Sequence, residues 1–217
     1  MAIASLIRWS GLISVGAGAL YALAALLHPV GEDLAAITSP NWVPAHVLYW
    51  VSIILMHFGL IGLYARQADK MGRLGLVSFI LAFVGTALAG SILLLAATVA
   101  PILAIKAPPL LDQAVRPSTL AAAVFILGFA LGYILFGVAT MRARVMPRGS
   151  GSMLIIGVAF FVIAEGAPFD PALSHTILTL GDVVFGLGFV WMGSKLVREK
   201  RGHSSRADAV LAARGAS

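Results

Sequence analysis

Residues 74–105 read LGLVSFILAFVGTALAGSILLLAATVAPILAI, and no charged side chain occurs between Arg73 and Lys106. A helix needs about 20 predominantly apolar residues to cross the hydrocarbon core of a bilayer, which is roughly 30 Å thick. At about 1.5 Å per residue, this stretch is too long for a single crossing. We therefore expect the helix to end or bend near Pro101, with residues 102–111 running along the outer surface.

The rest of the chain has the same apolar character. Of its 217 residues, 60% are hydrophobic and only 11% are charged, which lies outside the usual range of soluble domains. We predict an all-α, polytopic integral membrane protein with one domain over residues 1–200 and a basic cytoplasmic tail over residues 201–217. Six transmembrane helices are predicted, over residues 6–28, 43–65, 74–100, 119–141, 150–168 and 174–195.

The basic residues predict the orientation of these helices. Of the 15 Lys and Arg residues, all but Lys106 and Arg116 lie at the chain ends or in the gaps after the second and fourth spans. Cytoplasmic loops carry an excess of Lys and Arg, so both termini are predicted to be cytoplasmic. The same asymmetry explains the net charge of +6 without a nucleic-acid partner. The lipid bilayer is the predicted partner, and a homo-oligomer or a larger membrane complex stays open.

The odd-numbered spans share features at both ends. Each begins near an arginine followed by glycine and ends near a proline: Arg8 to Gly11 with Pro29, Arg73 to Gly75 with Pro101, and Arg148 to Gly151 with Pro168. This similarity favours three tandem helical hairpins of one orientation, over residues 1–68, 69–146 and 147–200. The alternative is that any helix running outward from the cytoplasm acquires these features for topological reasons alone.

Ionisable side chains recur at the outer ends of the predicted spans. His28 ends the first span seven residues after Tyr21, and His175 precedes Asp182 by the same interval. Seven residues are about two helical turns, so each pair shares one helix face. Within a bilayer such groups normally face the bundle interior, a cavity or a partner. The predicted extracytoplasmic cluster comprises His28, His46, Glu165, Asp170 and His175, together with Glu32 and Asp33 of the first loop. For each residue alone, the alternative is an ordinary solvated helix end.

His57 and Asp182 are predicted to lie deeper, near the middle of the membrane. His57 follows His46 by 11 residues, which places it on the same face about 16 Å farther along the helix. A charge at the bilayer centre costs at least about 2.5–3.5 kcal/mol on insertion scales, so Asp182 needs a partner, water or a proton. His57 and Asp182 are candidate partners of one another. A purely structural hydrogen bond is the alternative.

The leading functional hypothesis is a pocket that binds or transports a small ligand, an ion or a proton. Its predicted ligand-binding residues are His28, His46, His57, Glu165, His175 and Asp182. One alternative is a subunit that holds haem b between two histidines of equal depth, or a divalent metal on His28, His46, His175 and Glu165. Another is an accessory or scaffold subunit of a membrane complex.

A membrane-embedded, metal-dependent hydrolase is the third hypothesis. The chain contains no His-x-x-x-His, His-Glu-x-x-His or Asp-rich motif and no Walker or dinucleotide-binding fingerprint. It also contains no cysteine, which excludes thiolate metal sites and disulfides. We assign no catalytic residue, and a function other than catalysis is favoured.

Three short motifs resemble those of small bacterial multi-span membrane proteins. They are His28-Pro29, the stretch from Trp42 to His46, and Gly62-Leu63-Tyr64-Ala65-Arg66. The resemblance implies a location in the bacterial inner (cytoplasmic) membrane. It carries no activity with it and defines no family.

Overall fold

A computed structural model describes residues 2–115 and 125–215, which contain helices and no strand. The predicted start of the fourth span at residue 119 falls outside these ranges. The helices are α1 (Ala2–Leu27), α2 (Leu34–Ile37), α3 (Trp42–Thr98), α4 (Ala100–Lys106), α5 (Pro108–Val115), α6 (Gly132–Ala143), α7 (Arg148–Gly166) and α8 (Pro171–Gly215). A π-helical turn, Ile126–Leu131, leads directly into α6.

Long apolar helices dominate the described structure. Four of them are long and apolar enough to cross a membrane: Ile7–Leu27, Trp42–Lys106, Arg148–Gly166 and Pro171–Arg198. A shorter apolar helix covers Leu127–Ala143. Large apolar side chains such as Phe58, Ile80 and Leu187 are exposed along these helices, as expected of surfaces in contact with lipid. The all-α class is confirmed, and the chain has the helices of an integral membrane protein.

Helix α3 reverses its direction at a single glycine. Gly72 has φ 58° and ψ −153°, whereas its neighbours on both sides are helical. This conformation is essentially open only to glycine, because a Cβ atom would clash with the adjacent peptide groups. A sequence-predicted gap covered residues 66–73, but the helix continues through that gap on both sides of Gly72. We call residues 42–71 the first arm of α3 and residues 73–98 the second arm.

The two arms run antiparallel and pack against one another. Near the reversal, the rings of Tyr64 and Phe79 stack with their centroids 4.5 Å apart. At the far end, Nε1 of Trp42 donates a 2.8 Å hydrogen bond to the carbonyl of Ala96. A straight helix of the same 57 residues would be about 86 Å long, far more than a bilayer requires. The reversal therefore divides α3 into two arms of membrane-crossing length.

The helical arms form a closed ring in the order of the chain. The first arm contacts α1, which contacts α8, and the ring continues through α7 and α6 to the second arm. Glycines mark the crossings: a Cβ at Gly18 would meet the carbonyl of Gly186, and one at Gly85 would meet the backbone at Gly128. Small residues let helix backbones approach closely where lipid provides no hydrophobic drive. Gly128 and Gly186 therefore serve the close packing of neighbouring helices.

The two ends of the ring differ in character. At one end, which we call the capped end, α2, α4 and α5 pack around Trp42 and Ile37. Helix α3 stops at Thr98 and α4 begins at Ala100, as expected near Pro101. At the opposite end, which we call the basic end, lie the Gly72 reversal and the α6–α7 turn. Between the two ends, an aromatic core fills the centre of the ring with Phe129, Tyr133, Phe136, Phe185 and Phe189.

We predict that Gly72→Ala destabilises the protein by about 1–3 kcal/mol, because alanine must adopt a backbone conformation that its Cβ disfavours. Gly16→Ala is the matched control: Gly16 lies inside α1, and an added Cβ would meet nothing within 4 Å. That control should be neutral or stabilise by up to about 1 kcal/mol. Thermal unfolding of both variants in mild detergent measures the difference. Equal midpoints would show that the reversal does not depend on glycine.

Candidate functional site: a polar cavity at the capped end

A cavity of about 320 Å³ opens at the capped end of the ring. Its wall includes residues of α1, both arms of α3, the segment leading into α6, α7 and α8. Five of the six sequence-predicted binding residues line it: His28, His46, Glu165, His175 and Asp182. The other polar residues of the wall are Tyr21, Glu32, Trp42, Tyr49 and Thr179.

Asp182 lies at the buried floor of the cavity and is only 7% exposed. The hydroxyl of Tyr49 donates a hydrogen bond of 2.5 Å to its Oδ2 atom, and the hydroxyl of Tyr21 donates one of 3.3 Å to Oδ1. The two tyrosine rings also meet edge to face, with centroids 4.9 Å apart. A single carboxylate thereby ties α1, the first arm of α3 and α8 together.

Three imidazole rings lie between this floor and the mouth, and His28 and His175 are each two helical turns from Tyr21 and Asp182, respectively. The centroid of the His28 ring is 4.9 Å from that of His46 and 6.0 Å from that of His175. The indole ring of Trp42 packs on His46 at 4.1 Å and on His28 at 5.4 Å. The seven-residue spacing therefore places His28, just after α1, above Tyr21. It likewise places His175 of α8 above Asp182.

Backbone carbonyls fix the proton positions on two of these rings. Nδ1 of His28 lies 2.8 Å from the carbonyl oxygen of Pro29, and Nδ1 of His46 lies 2.8 Å from that of Trp42. Because a carbonyl only accepts, each Nδ1 must carry a hydrogen, which leaves the Nε2 of a neutral ring as an acceptor. Burial and the nearby His46 lower the pKa of His28 to about 4, so this ring is neutral at neutral pH.

Two further carboxylates lie above Asp182. Glu32 and Glu165 are exposed at the mouth of the cavity. Glu165 interacts electrostatically with both Glu32 and Asp182, so the three acidic groups form a series from the mouth to the floor. Among the residues that the structure describes, no lysine or arginine lines the cavity.

The remaining walls of the cavity are apolar. Of the described residues, those of the second arm of α3 and of the segment leading into α6 contribute no polar side chain, and α7 adds the aromatic ring of Phe161. The apolar lining residues are Ala25, Ile53, Ala89, Ile92, Leu93, Ala96, Phe125, Phe129, Phe161 and Leu178. Sequence reasoning missed these walls, because a phenylalanine that faces a cavity has the same spacing signal as one that faces lipid.

His57 does not reach the cavity. Its Nδ1 lies 2.8 Å from the carbonyl oxygen of Ile53, and its ring meets Phe83 of the second arm edge to face at 4.7 Å. The predicted pairing of His57 with Asp182 is wrong, because Asp182 lies level with Tyr49. Eight residues of the first arm, or about 12 Å, separate that level from His57.

The histidine pair His28 and His46 does not hold a haem between its rings, and the described residues contain no metal cluster. In the described part of the chain, no group of three or more His, Cys, Asp or Glu side chains is arranged to hold a metal ion. The rings of His28 and His46 contact each other directly and share Trp42 as a neighbour, which leaves no space for a porphyrin plane between them.

No protein-family model, no curated protein and no solved structure matches this chain. The fold and the cavity therefore supply the arguments about function.

We predict that Tyr49→Phe destabilises the protein more than Tyr133→Phe. Tyr49 donates to a carboxylate, whereas Tyr133 shares a 2.8 Å hydrogen bond with the hydroxyl of Thr86. A hydrogen bond to a charged group contributes about 1.5–3 kcal/mol and a neutral one about 0.5–1.5 kcal/mol. Tyr21→Phe should destabilise the protein less than Tyr49→Phe, since the hydrogen bond from Tyr21 to Asp182 is longer. Thermal unfolding in detergent ranks the three variants, and the reverse order would contradict the role given to Asp182.

Proposed function

We propose that this protein crosses the bacterial inner membrane six times with both termini in the cytoplasm. We further propose that it binds a small ligand in the cavity from the extracytoplasmic side. Transport of the ligand, or of an ion or a proton coupled to it, is the wider form of this proposal. The observation that supports ligand binding is the cavity itself, in which side chains from separate helices converge.

The distribution of charge supports the orientation. Arg66, Lys70 and Arg73 lie around the Gly72 reversal, and Arg142, Arg144 and Arg148 lie around the α6–α7 turn, all at the basic end. Glu32, Asp33 and Asp170 lie at the capped end. Because basic residues are retained on the cytoplasmic side, the basic end is assigned to the cytoplasm and the cavity to the opposite side.

Single cysteines test this orientation, since the natural chain contains none. We expect Val30→Cys and Ala172→Cys to react with a membrane-impermeant maleimide on intact bacterial cells. Asp69→Cys and Val145→Cys should react only after the cells are opened. None of these changes removes a basic residue, so the charge bias that sets the orientation is kept. Labelling of all four positions from one side would overturn the six-span arrangement.

The chemistry of the cavity supports ligand binding. Small-molecule sites are typically concave, with a volume of about 300–1,000 Å³, mostly apolar walls and a few convergent polar groups. The cavity has these properties: a volume of about 320 Å³, walls of aromatic and aliphatic side chains, and Asp182 with its two tyrosines at the floor. Below the floor, Tyr133, Phe185 and Phe189 are buried in the aromatic core. Binding from the mouth is therefore the simplest use of this geometry.

Isothermal titration with 2-phenylethanol in mild detergent tests ligand binding, because this probe combines an apolar ring with one hydrogen-bonding group. We expect saturable binding to the natural chain and its loss in Ala89→Phe, which places a larger side chain in the cavity wall. Leu95→Phe is the matched control, since Leu95 is 55% exposed on the same arm and does not line the cavity. Equal heats from all three proteins would show partitioning into detergent and would contradict a binding pocket.

A further inference from the structure

The electrostatics of the cavity favour one class of ligand. The series of Glu32, Glu165 and Asp182 runs from mouth to floor, and no lysine or arginine of the described residues lines the same space. An anionic ligand would approach three carboxylates without a cation to compensate it. A positively charged ligand would instead meet opposite charge along its whole path.

At the floor, no positively charged neighbour compensates the carboxylate of Asp182 among the described residues. Both hydrogen-bond donors to Asp182 are neutral phenols, from Tyr21 and Tyr49. Each carboxylate oxygen has more than one lone pair, so each can accept a further hydrogen bond beside the one from tyrosine. A buried negative charge is costly without a partner, and a cation bound beside Asp182 would supply one.

The aromatic walls suit an organic cation better than a metal ion. Tyr21, Trp42, Tyr49, Phe129 and Phe161 all border the cavity. Aromatic faces attract ammonium groups through the ring quadrupole, and they bury the apolar part of the same molecule. A hydrated metal ion needs several oxygen or nitrogen ligands in return for its lost water, and apolar walls supply none.

The histidines at the mouth do not oppose such a ligand. His28 and His46 donate through Nδ1 to backbone carbonyls, so their Nε2 atoms are acceptors in the neutral rings. An ammonium group that passes the mouth meets acceptors there and carboxylates above and below. Among the residues that the structure describes, the titratable groups facing the cavity are these two imidazoles and that of His175, the three carboxylates and the two phenols, while the second arm of α3 adds none.

We propose that the ligand is a small organic cation, an amine or methylated ammonium on an apolar body, with Asp182 as its counter-ion. This inference rests on the binding pocket proposed above and names the class of molecule that the pocket takes. The apolar body would lie against Phe129 and Phe161, and the cationic group would lie near the floor.

Three probes with the same phenyl body but different charges test the inference. They are 2-phenylethylammonium, 2-phenylethanol and phenylacetate, titrated into the full chain in the same detergent at one ionic strength. We expect the ammonium ion to bind at least tenfold more tightly than the alcohol, and phenylacetate to bind most weakly. Titration of Ala89→Phe with each probe measures its partitioning into the micelle, which is subtracted.

Asp182→Asn should reduce the affinity for the ammonium ion at least tenfold and leave that for the alcohol within about twofold. Asp170→Asn is the matched control, because the Asp170 carboxylate accepts hydrogen bonds from the backbone N–H groups of Ala172 and Leu173 at the start of α8, outside the cavity. If Asp182→Asn fails to fold, Glu165→Gln replaces it, with a smaller loss of ammonium affinity expected.

The failures of the two proposals are distinguishable. Equal affinities for ammonium ion and alcohol, both lost in Ala89→Phe, would overturn the cation inference and keep the pocket. Tighter binding of phenylacetate would also overturn it, in favour of an anion. No binding of any probe beyond that of Ala89→Phe would overturn the pocket and the inference together.

Discussion

The rest of the structure depends on how one carboxyl group is buried among apolar helices. Asp182 is held by hydroxyl groups from two other helices, and this arrangement aligns α1, the first arm of α3 and α8 at one level. Removing a carboxylate from water is expensive, so the donors must be in place for the helices to pack. The space above the carboxylate is the cavity, whose depth is therefore set by the position of Asp182 along α8.

Much of this arrangement could be predicted from the spacing of polar residues in apolar segments. Tyr21 with His28 and His175 with Asp182 are each two turns apart, so finding one member of a pair inside the bundle places the other there as well. His57 was placed incorrectly because periodicity fixes the face of a helix but not its depth relative to neighbouring helices. The apolar walls could not be predicted, since Phe129 and Phe161 have the composition of lipid-facing positions.

The ring is held together by contacts of a different kind. At its crossings, glycines such as Gly18 and Gly186 bring two backbones together, and at its centre aromatic rings fill the space that remains. The number of glycines inside the apolar segments does not show which helices are neighbours. The reversal at Gly72 was similarly visible only as a polar gap between two spans, because the composition of residues 66–73 does not show that the helix continues on both sides of one glycine.

Because the reversal at Gly72 has no loop, it also fixes the rotation and the height of the second arm of α3 relative to the first, and both arms line the cavity. Ala89 lies on the second arm and Tyr49 on the first, and every residue between them except Gly72 is helical. One residue inserted or deleted in this stretch would rotate the second arm by about 100° and shift it by about 1.5 Å relative to the first. Ala89 would then leave the cavity, and a different side of the second arm would face it. Variation in length between these two residues should thus be far less tolerated than in the connection between α1 and α3.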